Sequence, residues 1–213
     1  MDIVFGGTFN PPHCGHQRVI ERLQDWLPNA HIHLLPCWQP VHKAPTTVPV
    51  AIRRLWLEAF IEPWSNVFLD EREWLGHRAS YTVDTLQAWR LELGPTAPLA
   101  FAIGSDSFAQ FESWHRWSEL FDLAHWLVLS RPDCPATPST AVAERCAQRW
   151  CDPTEKARLL SQPAGCVVDV PGEPLAAASS DLRQQQSLAS DLLPERVRVL
   201  WQHHLDQLTG FHS

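Results

Sequence analysis

Apolar residues along the chain fall into short dense runs, separated by longer stretches that repeat with a helical period. Six runs are rich in Val, Ile, Leu and Phe: Asp2–Phe5, His31–Leu35, Asn66–Leu69, Leu99–Ile103, Trp126–Leu129 and Cys166–Val170. Runs of this length and composition predict β-strands. Between them, apolar positions recur at helical spacing over about 16–27, 49–62, 83–93 and 116–124, the first carried by Val19, Ile20, Leu23 and Leu27. Strand and helix therefore alternate, which predicts an α/β fold on a parallel sheet. The stretch from Pro132 to Gly165 is rich in Pro, Thr and Ala, with only a weak helical patch near 141–150. It reads as an excursion rather than a second domain. After a Pro-Gly-Glu-Pro turn, Ser179-Ser180-Asp181-Leu182-Arg183 has the look of a capped helix start. Pro194 opens a last amphipathic helix with Val197, Leu200, Trp201, Leu205 and Leu208 on one face.

Composition narrows the possibilities. With 213 residues, 45% of them hydrophobic, the chain fits one domain with a real core and no intrinsic disorder. A net charge of −7 argues against nucleic-acid and anionic-membrane partners. An anionic substrate must then meet a local positive site. The six cysteines include no C-x-x-C pair and read as reduced thiols of a cytoplasmic protein. No signal peptide is expected, since the chain enters a strand at once without a basic n-region. No apolar run reaches the length of a membrane span. Eleven tryptophans against one tyrosine are assigned mostly to core packing.

Candidate chemistry concentrates where the first strand ends. Gly6 and Gly7 allow positive φ and close backbone approach, and a polar turn with Pro11 and Pro12 follows. His13 and His16 then fall at a helix entry, with Gly15 between them. An open α/β sheet tends to bind its ligand at such a strand end. Both imidazoles can donate to phosphate oxygens and stabilise charge that builds up in a transition state. An isolated H-x-x-H can equally cap the helix, pack in the core or ligate a metal. A metal is less attractive, because no third ligand stands at a recognisable spacing. Neither G-x-x-x-x-G-K nor G-x-G-x-x-G occurs, so a P-loop NTPase and an ordinary dinucleotide dehydrogenase are unsupported.

Gly6-Gly7-Thr8-Phe9-Asn10-Pro11-Pro12-His13-Cys14-Gly15-His16 resembles the signature of the H-x-G-H nucleotidyltransferase superfamily, and within it the bacterial nicotinate mononucleotide adenylyltransferases. Further matches follow in order: Pro40-Val41-His42-Lys43, Glu71-Arg72-Glu73 with Ser80-Tyr81-Thr82-Val83-Asp84-Thr85-Leu86, Ile103-Gly104-Ser105-Asp106-Ser107 with Trp114, Ser130-Arg131-Pro132, and Ser179 to Arg183. The resemblance implies a Rossmann-like, doubly wound parallel sheet with a small C-terminal helical part. It makes 1–213 a single nucleotidyltransferase domain, with the core in 1–178 and the helical part in 179–213.

The implied reaction transfers the adenylyl group of ATP to the phosphate of nicotinate mononucleotide, giving deamido-NAD and pyrophosphate, a step of NAD biosynthesis. Without a covalent intermediate, the protein's work is alignment and charge stabilisation. The resemblance makes His13, His16, Lys43 and Arg183 the catalytic set. Gly6, Gly7, Thr8 and Phe9 would hold the α-phosphate; Gly104, Arg131, Ser179 and Ser180 complete the ATP site with His16 and Arg183. The acceptor would lie on Thr8, Asn10, Lys43, Tyr81, Thr82, Asp106 and Trp114. Open amides at the helix start around Tyr81 and Thr82 suit a carboxylate, and Trp114 suits stacking on a pyridine ring. Asp106 is placed either on ribose hydroxyls or as a helix cap. Mg²⁺ is expected with ATP, no metal ligand is expected from the protein's side chains, and a homo-oligomer is compatible with the sequence. The chain departs from the family pattern at Asn10 (usually Asp), Val41 (Pro), Ala178 (Ser) and His115 (an aromatic ring). A phosphopantetheine-type nucleotidyltransferase, a regulatory module that has lost catalysis and a zinc-binding structural protein are the competing readings.

Overall fold

In the computed structural model, residues 1–38, 48–76, 80–132, 137–173 and 192–210 are described. Six strands form one fully parallel sheet: β1 Asp2–Gly7, β2 His31–Pro36, β3 Val67–Leu69, β4 Leu99–Gly104, β5 His125–Leu129 and β6 Val167–Asp169. Their spatial order is β3-β2-β1-β4-β5-β6. The chain thus winds outward from β1 to β3, returns beside β1, and winds the other way. This is the doubly wound Rossmann-like arrangement, with its switch point between β1 and β4.

Each strand divides its residues between two cores. Ile3 and Phe5, Ile32 and Leu34, Ala100 and Ala102, Leu127 and Leu129 enter one. Val4, Leu35, Phe101, Ile103, Trp126 and Val128 enter the other. Period-two alternation with both faces covered is why these strands read as continuous apolar runs. The first face is covered by α1 (Cys14–Trp26), α2 (Val50–Ile61) and the last helix, Glu195–Gly210. The second is covered by α4 (Thr82–Leu93), α5 (Ser105–Ala109) and α6 (Trp117–Leu123). A single-turn α3 spans Arg72–Leu75.

All six predicted strands and the four predicted helices are present, within a few residues of the expected bounds. The stretch 132–165 carries more structure than its composition suggested. It holds α7 (Thr140–Cys146) and α8 (Lys156–Ser161), which bury Val142, Cys146 and Leu159 against the two cores. Trp150 pairs with Val167 at the sheet edge. The last helix begins at Glu195, just after Pro194, and packs Val197, Leu200 and Trp201 on the α2 face. The Trp56 and Trp201 rings lie 5.1 Å apart. Leu205 and Leu208 fall on residues whose side chains are not described, and Ser179 to Arg183 lie outside the described residues.

Candidate active site

The carboxyl ends of β1, β4 and β5 converge at the switch point and carry the predicted residues. Gly6 and Gly7 are still strand, the last two residues of β1. Neither has positive φ; the left-handed residue of the loop is Phe9, at φ 44°. The expectation of a glycine turn is therefore corrected. Gly6 is required by close approach, since an added Cβ would stand 2.8 Å from Cζ of Phe101 on β4. Phe9 is wholly buried, and its ring crosses that of Phe5 edge-to-face at 5.5 Å. The loop is thus anchored by a phenylalanine driven into the core beneath it. Asn10 is buried and is joined to Pro11 by a cis peptide bond.

His13 and His16 close a reciprocal cap at the start of α1. The His13 Nδ1 accepts the N–H of Gly15 at 3.1 Å, and the His16 Nδ1 accepts the N–H of His13 at 3.1 Å. Of the alternatives open in the sequence, the structure shows the cap, with both Nε2 atoms left over from it. With Nδ1 used as acceptor, each neutral ring carries its hydrogen on Nε2. The rings stack with centroids 3.7 Å apart, and His16 also lies 4.7 Å from Phe9. Burial first, then coulombic contributions from His13 and Arg131, hold the His16 imidazole well below its ordinary pKa. At neutral pH it is a neutral hydrogen-bond donor.

Across the switch point, Arg131 follows β5 and pairs its Nε with Oδ1 of Asp106 at 2.9 Å. Its backbone N–H donates to Ser105 Oγ at 3.0 Å. Asp106 stands in the first turn of α5 without capping it, which removes the helix-cap alternative. Gly104 is the floor under this pair: an added Cβ would meet Asp106 Oδ1 at 2.4 Å and Arg131 Nε at 2.7 Å.

On the acceptor side, Tyr81 is the N-cap of α4, so the first amides of that helix open beside Thr82. The exposed Tyr81 ring lies 4.3 Å from that of His115. Trp114 is half-buried. One face stacks on Phe111 at 5.3 Å, and its edge contacts involve Phe101 and Trp126. The same Phe101 lies across Gly6, so an aromatic cluster joins Trp114 to the loop after β1. Lys43, Ser179, Ser180 and Arg183 lie outside the described residues.

One group went unread in the sequence. Arg53 of α2 is 0% exposed, directly behind the loop. It donates to the carbonyl oxygens of Thr8 at 2.5 Å, Cys37 at 2.8 Å and Trp38 at 3.4 Å. Its signal is visible in retrospect. Arg53 shares the i, i+3, i+4, i+7 stripe with Trp56, Leu57 and Phe60, an apolar face where a cation has no bland reason to be.

Comparison with known proteins decides among the readings. Residues 4–184 match the cytidylyltransferase-like family model. The chain is 35% identical over 189 residues to a probable nicotinate-nucleotide adenylyltransferase of Marinobacter nauticus, covering 87% of this chain and 85% of that protein. A protein of the same name from Salmonella gallinarum is 34% identical over 200 residues, covering 92% and 93%. The chain belongs to the nicotinate-nucleotide adenylyltransferase family. A solved structure of Plasmodium falciparum nicotinic acid mononucleotide adenylyltransferase complexed with NaAD superposes with a TM-score of 0.70 at 17% identity, over 96% of each chain. At that identity the match speaks for the fold. Within the family pattern, the unusual Asn10 is buried in the loop and the unusual His115 is the ring packed on Tyr81. Val41 and Ala178 lie outside the described residues.

Proposed function

We propose that the corner after β1 transfers the adenylyl group of ATP to nicotinate mononucleotide, forming deamido-NAD and releasing pyrophosphate. The observation that carries this reading is the reciprocal histidine cap at the switch point. It fixes both tautomers with Nε2 as the donor, while burial above all keeps His16 neutral beside Arg131. A phosphate oxygen of the mononucleotide attacks the α-phosphorus as the bond to the bridging oxygen of pyrophosphate breaks. His13 and His16 donate to oxygens whose charge grows along that path, and loop amides from Gly7 to Phe9 hold the α-phosphate. Lys43, Ser179, Ser180 and Arg183 are assigned to the remaining phosphates. Gly104 and Arg131 are assigned to ATP. Asp106, Asn10, Tyr81, Thr82 and Trp114 are assigned to the acceptor.

Mg²⁺ fits this site as a companion of the nucleotide. The groups facing the phosphates are hydrogen-bond donors, and Asp106 is already paired with Arg131. The ion would rest on phosphate oxygens, where it neutralises charge. We place the enzyme in the cytoplasm, in keeping with free thiols at Cys14, Cys37, Cys146, Cys151 and Cys166. Among the described residues, no helix is long and apolar enough to cross a membrane. The test is pyrophosphate release from ATP with nicotinate mononucleotide, its amide analogue, phosphopantetheine and flavin mononucleotide as acceptors. Turnover with nicotinate mononucleotide is expected, and its loss on adding EDTA. Silence with both pyridine nucleotides overturns the assignment; preference for the amide overturns only the carboxylate subsite.

A further inference from the structure

We propose that Arg53 is a positioning residue for adenylyl transfer, holding the phosphate loop in its working shape from behind. The proposal rests on the reading above. Its side chain occupies a core position, yet no polar atom of a ligand could reach it there, since it is fully buried. What it does reach are backbone oxygens on two separate chain segments. One is Thr8, inside the loop whose amides face the α-phosphate. The others are Cys37 and Trp38, which follow β2 and lead directly into 39–47, where Lys43 stands. One rigid planar fork therefore ties the loop after β1 to the residues that follow β2.

The geometry also orients the loop. The Thr8 carbonyl and the Phe9 amide belong to one planar trans peptide group and point in opposite directions, so a carbonyl drawn toward Arg53 turns the Phe9 N–H away from it. Phe9 holds the same turn from the other side through its buried ring and positive φ. Trp74 completes the clamp: its Nε1 donates to the Cys37 carbonyl at 3.2 Å, and its ring lies 5.3 Å from the Arg53 guanidinium carbon. A cation kept off solvent costs folding free energy. Three carbonyl oxygens and one indole face offset part of that cost, and the nearby Glu73 carboxylate adds a favourable coulombic contribution.

A purely structural arginine and a positioning one give opposite signatures. The variants Arg53→Met and Arg53→Lys separate them, measured as kcat and KM per folded molecule, with urea unfolding as the stability readout. Met fills the apolar stripe but takes the donor from these backbone carbonyls, so the urea midpoint falls somewhat while kcat per folded molecule falls at least tenfold. Lys keeps a charge but cannot span three carbonyls, so kcat falls at least fivefold. Should the Met variant not fold, the Lys variant alone decides. A kcat for Arg53→Lys within fivefold of wild type overturns the proposal. The wild type serves as the control for the reading beneath it: no turnover by wild type with nicotinate mononucleotide sinks the function, whereas active wild type with equally active Arg53→Lys sinks only the role of Arg53.

Discussion

Two buried imidazoles in this molecule are locked by the same device and end with opposite fates. His16 accepts the His13 amide on Nδ1 at 3.1 Å, and His125 of β5 accepts the Cys166 amide on Nδ1 at 3.0 Å. Each is thereby left with its hydrogen on Nε2. In His125 that hydrogen goes to the Gln162 carbonyl at 2.9 Å, inside a ring that is 0% exposed. Every valence is closed within the protein, and the residue stitches β5 to the chain before β6. In His16 the Nε2–H has no acceptor among the described residues, and the half-buried ring sits at the carboxyl edge of the sheet. The difference shows that burial and tautomer alone do not mark a functional histidine. The proposed role of His16 rests instead on the donor it has left over.

The sharpest way to break this comparison is to truncate each ring in turn. For His16→Ala, kcat should fall by about 10²–10³-fold while KM for ATP moves far less, as for loss of a donor that acts mainly in the transition state. Half the capping box goes with it, so folding stability should drop by about 1 kcal/mol. For His125→Ala the pattern inverts: kcat per folded molecule is retained while unfolding becomes easier by several-fold more than in His16→Ala. Steady-state kinetics beside urea titrations check both. A His16→Ala effect confined to KM would assign that ring to ground-state binding.

Acid provides the next test. Burial above all depresses His125 to about 4, while in the unfolded chain it titrates near the ordinary imidazole value of 6.5. The folded state therefore resists protonation that the unfolded state accepts. Stability from this residue is complete above about pH 6.5 and is lost as pH falls toward 4, by about 3 kcal/mol in all. His16, depressed for the same first reason, acts in the same direction. Replacing His125 with Gln should remove its share of this acid slope and leave that of His16, measured as urea midpoints from pH 7.5 to 4.5. An unchanged slope would place the acid sensitivity elsewhere.

How far the sequence carried is clearest from these same regions. The strands were legible because each face of the sheet is covered, so every strand is a dense apolar run. α1, α2 and α4 were legible from their period, but α3 and α5 are four and five residues long and show none. The motif positions were legible through resemblance, and the structure gathers those it describes at one edge of the sheet. What could not be read was the geometry that gives them meaning. Which nitrogen of His16 accepts depends on a 3.1 Å contact, not on residue type. Phe9, rather than either glycine, takes the left-handed conformation because its ring has a core slot to fill. Arg53 was hidden for another reason: a stripe pattern is scored by its apolar members, and the misfit among them carried the information.

The smallest expected effect lies opposite the histidines, at Gly104. There the comparison turns from donors to the surface on which a pair of charges rests. A methyl group at this position would stand 2.4 Å from Asp106 Oδ1 and 2.7 Å from Arg131 Nε, closer than any side-chain atom tolerates. Both are ends of side chains rather than backbone, and both are partly exposed, so they can swing aside without unfolding β4. Gly104→Ala should therefore leave the urea midpoint nearly unchanged while separating the pair. If Arg131 and Asp106 serve substrate binding, KM for ATP or for nicotinate mononucleotide should rise by roughly tenfold, equivalent to about 1.4 kcal/mol. kcat should change little, because the His16 donor sits on α1, apart from the ends of β4 and β5. A change in kcat equal to that of His16→Ala would mean that the two sides of the switch point act as one unit. Unchanged kinetics would mean that the Arg131–Asp106 pair is a fixture of the fold and that its predicted place in the nucleotide site is wrong.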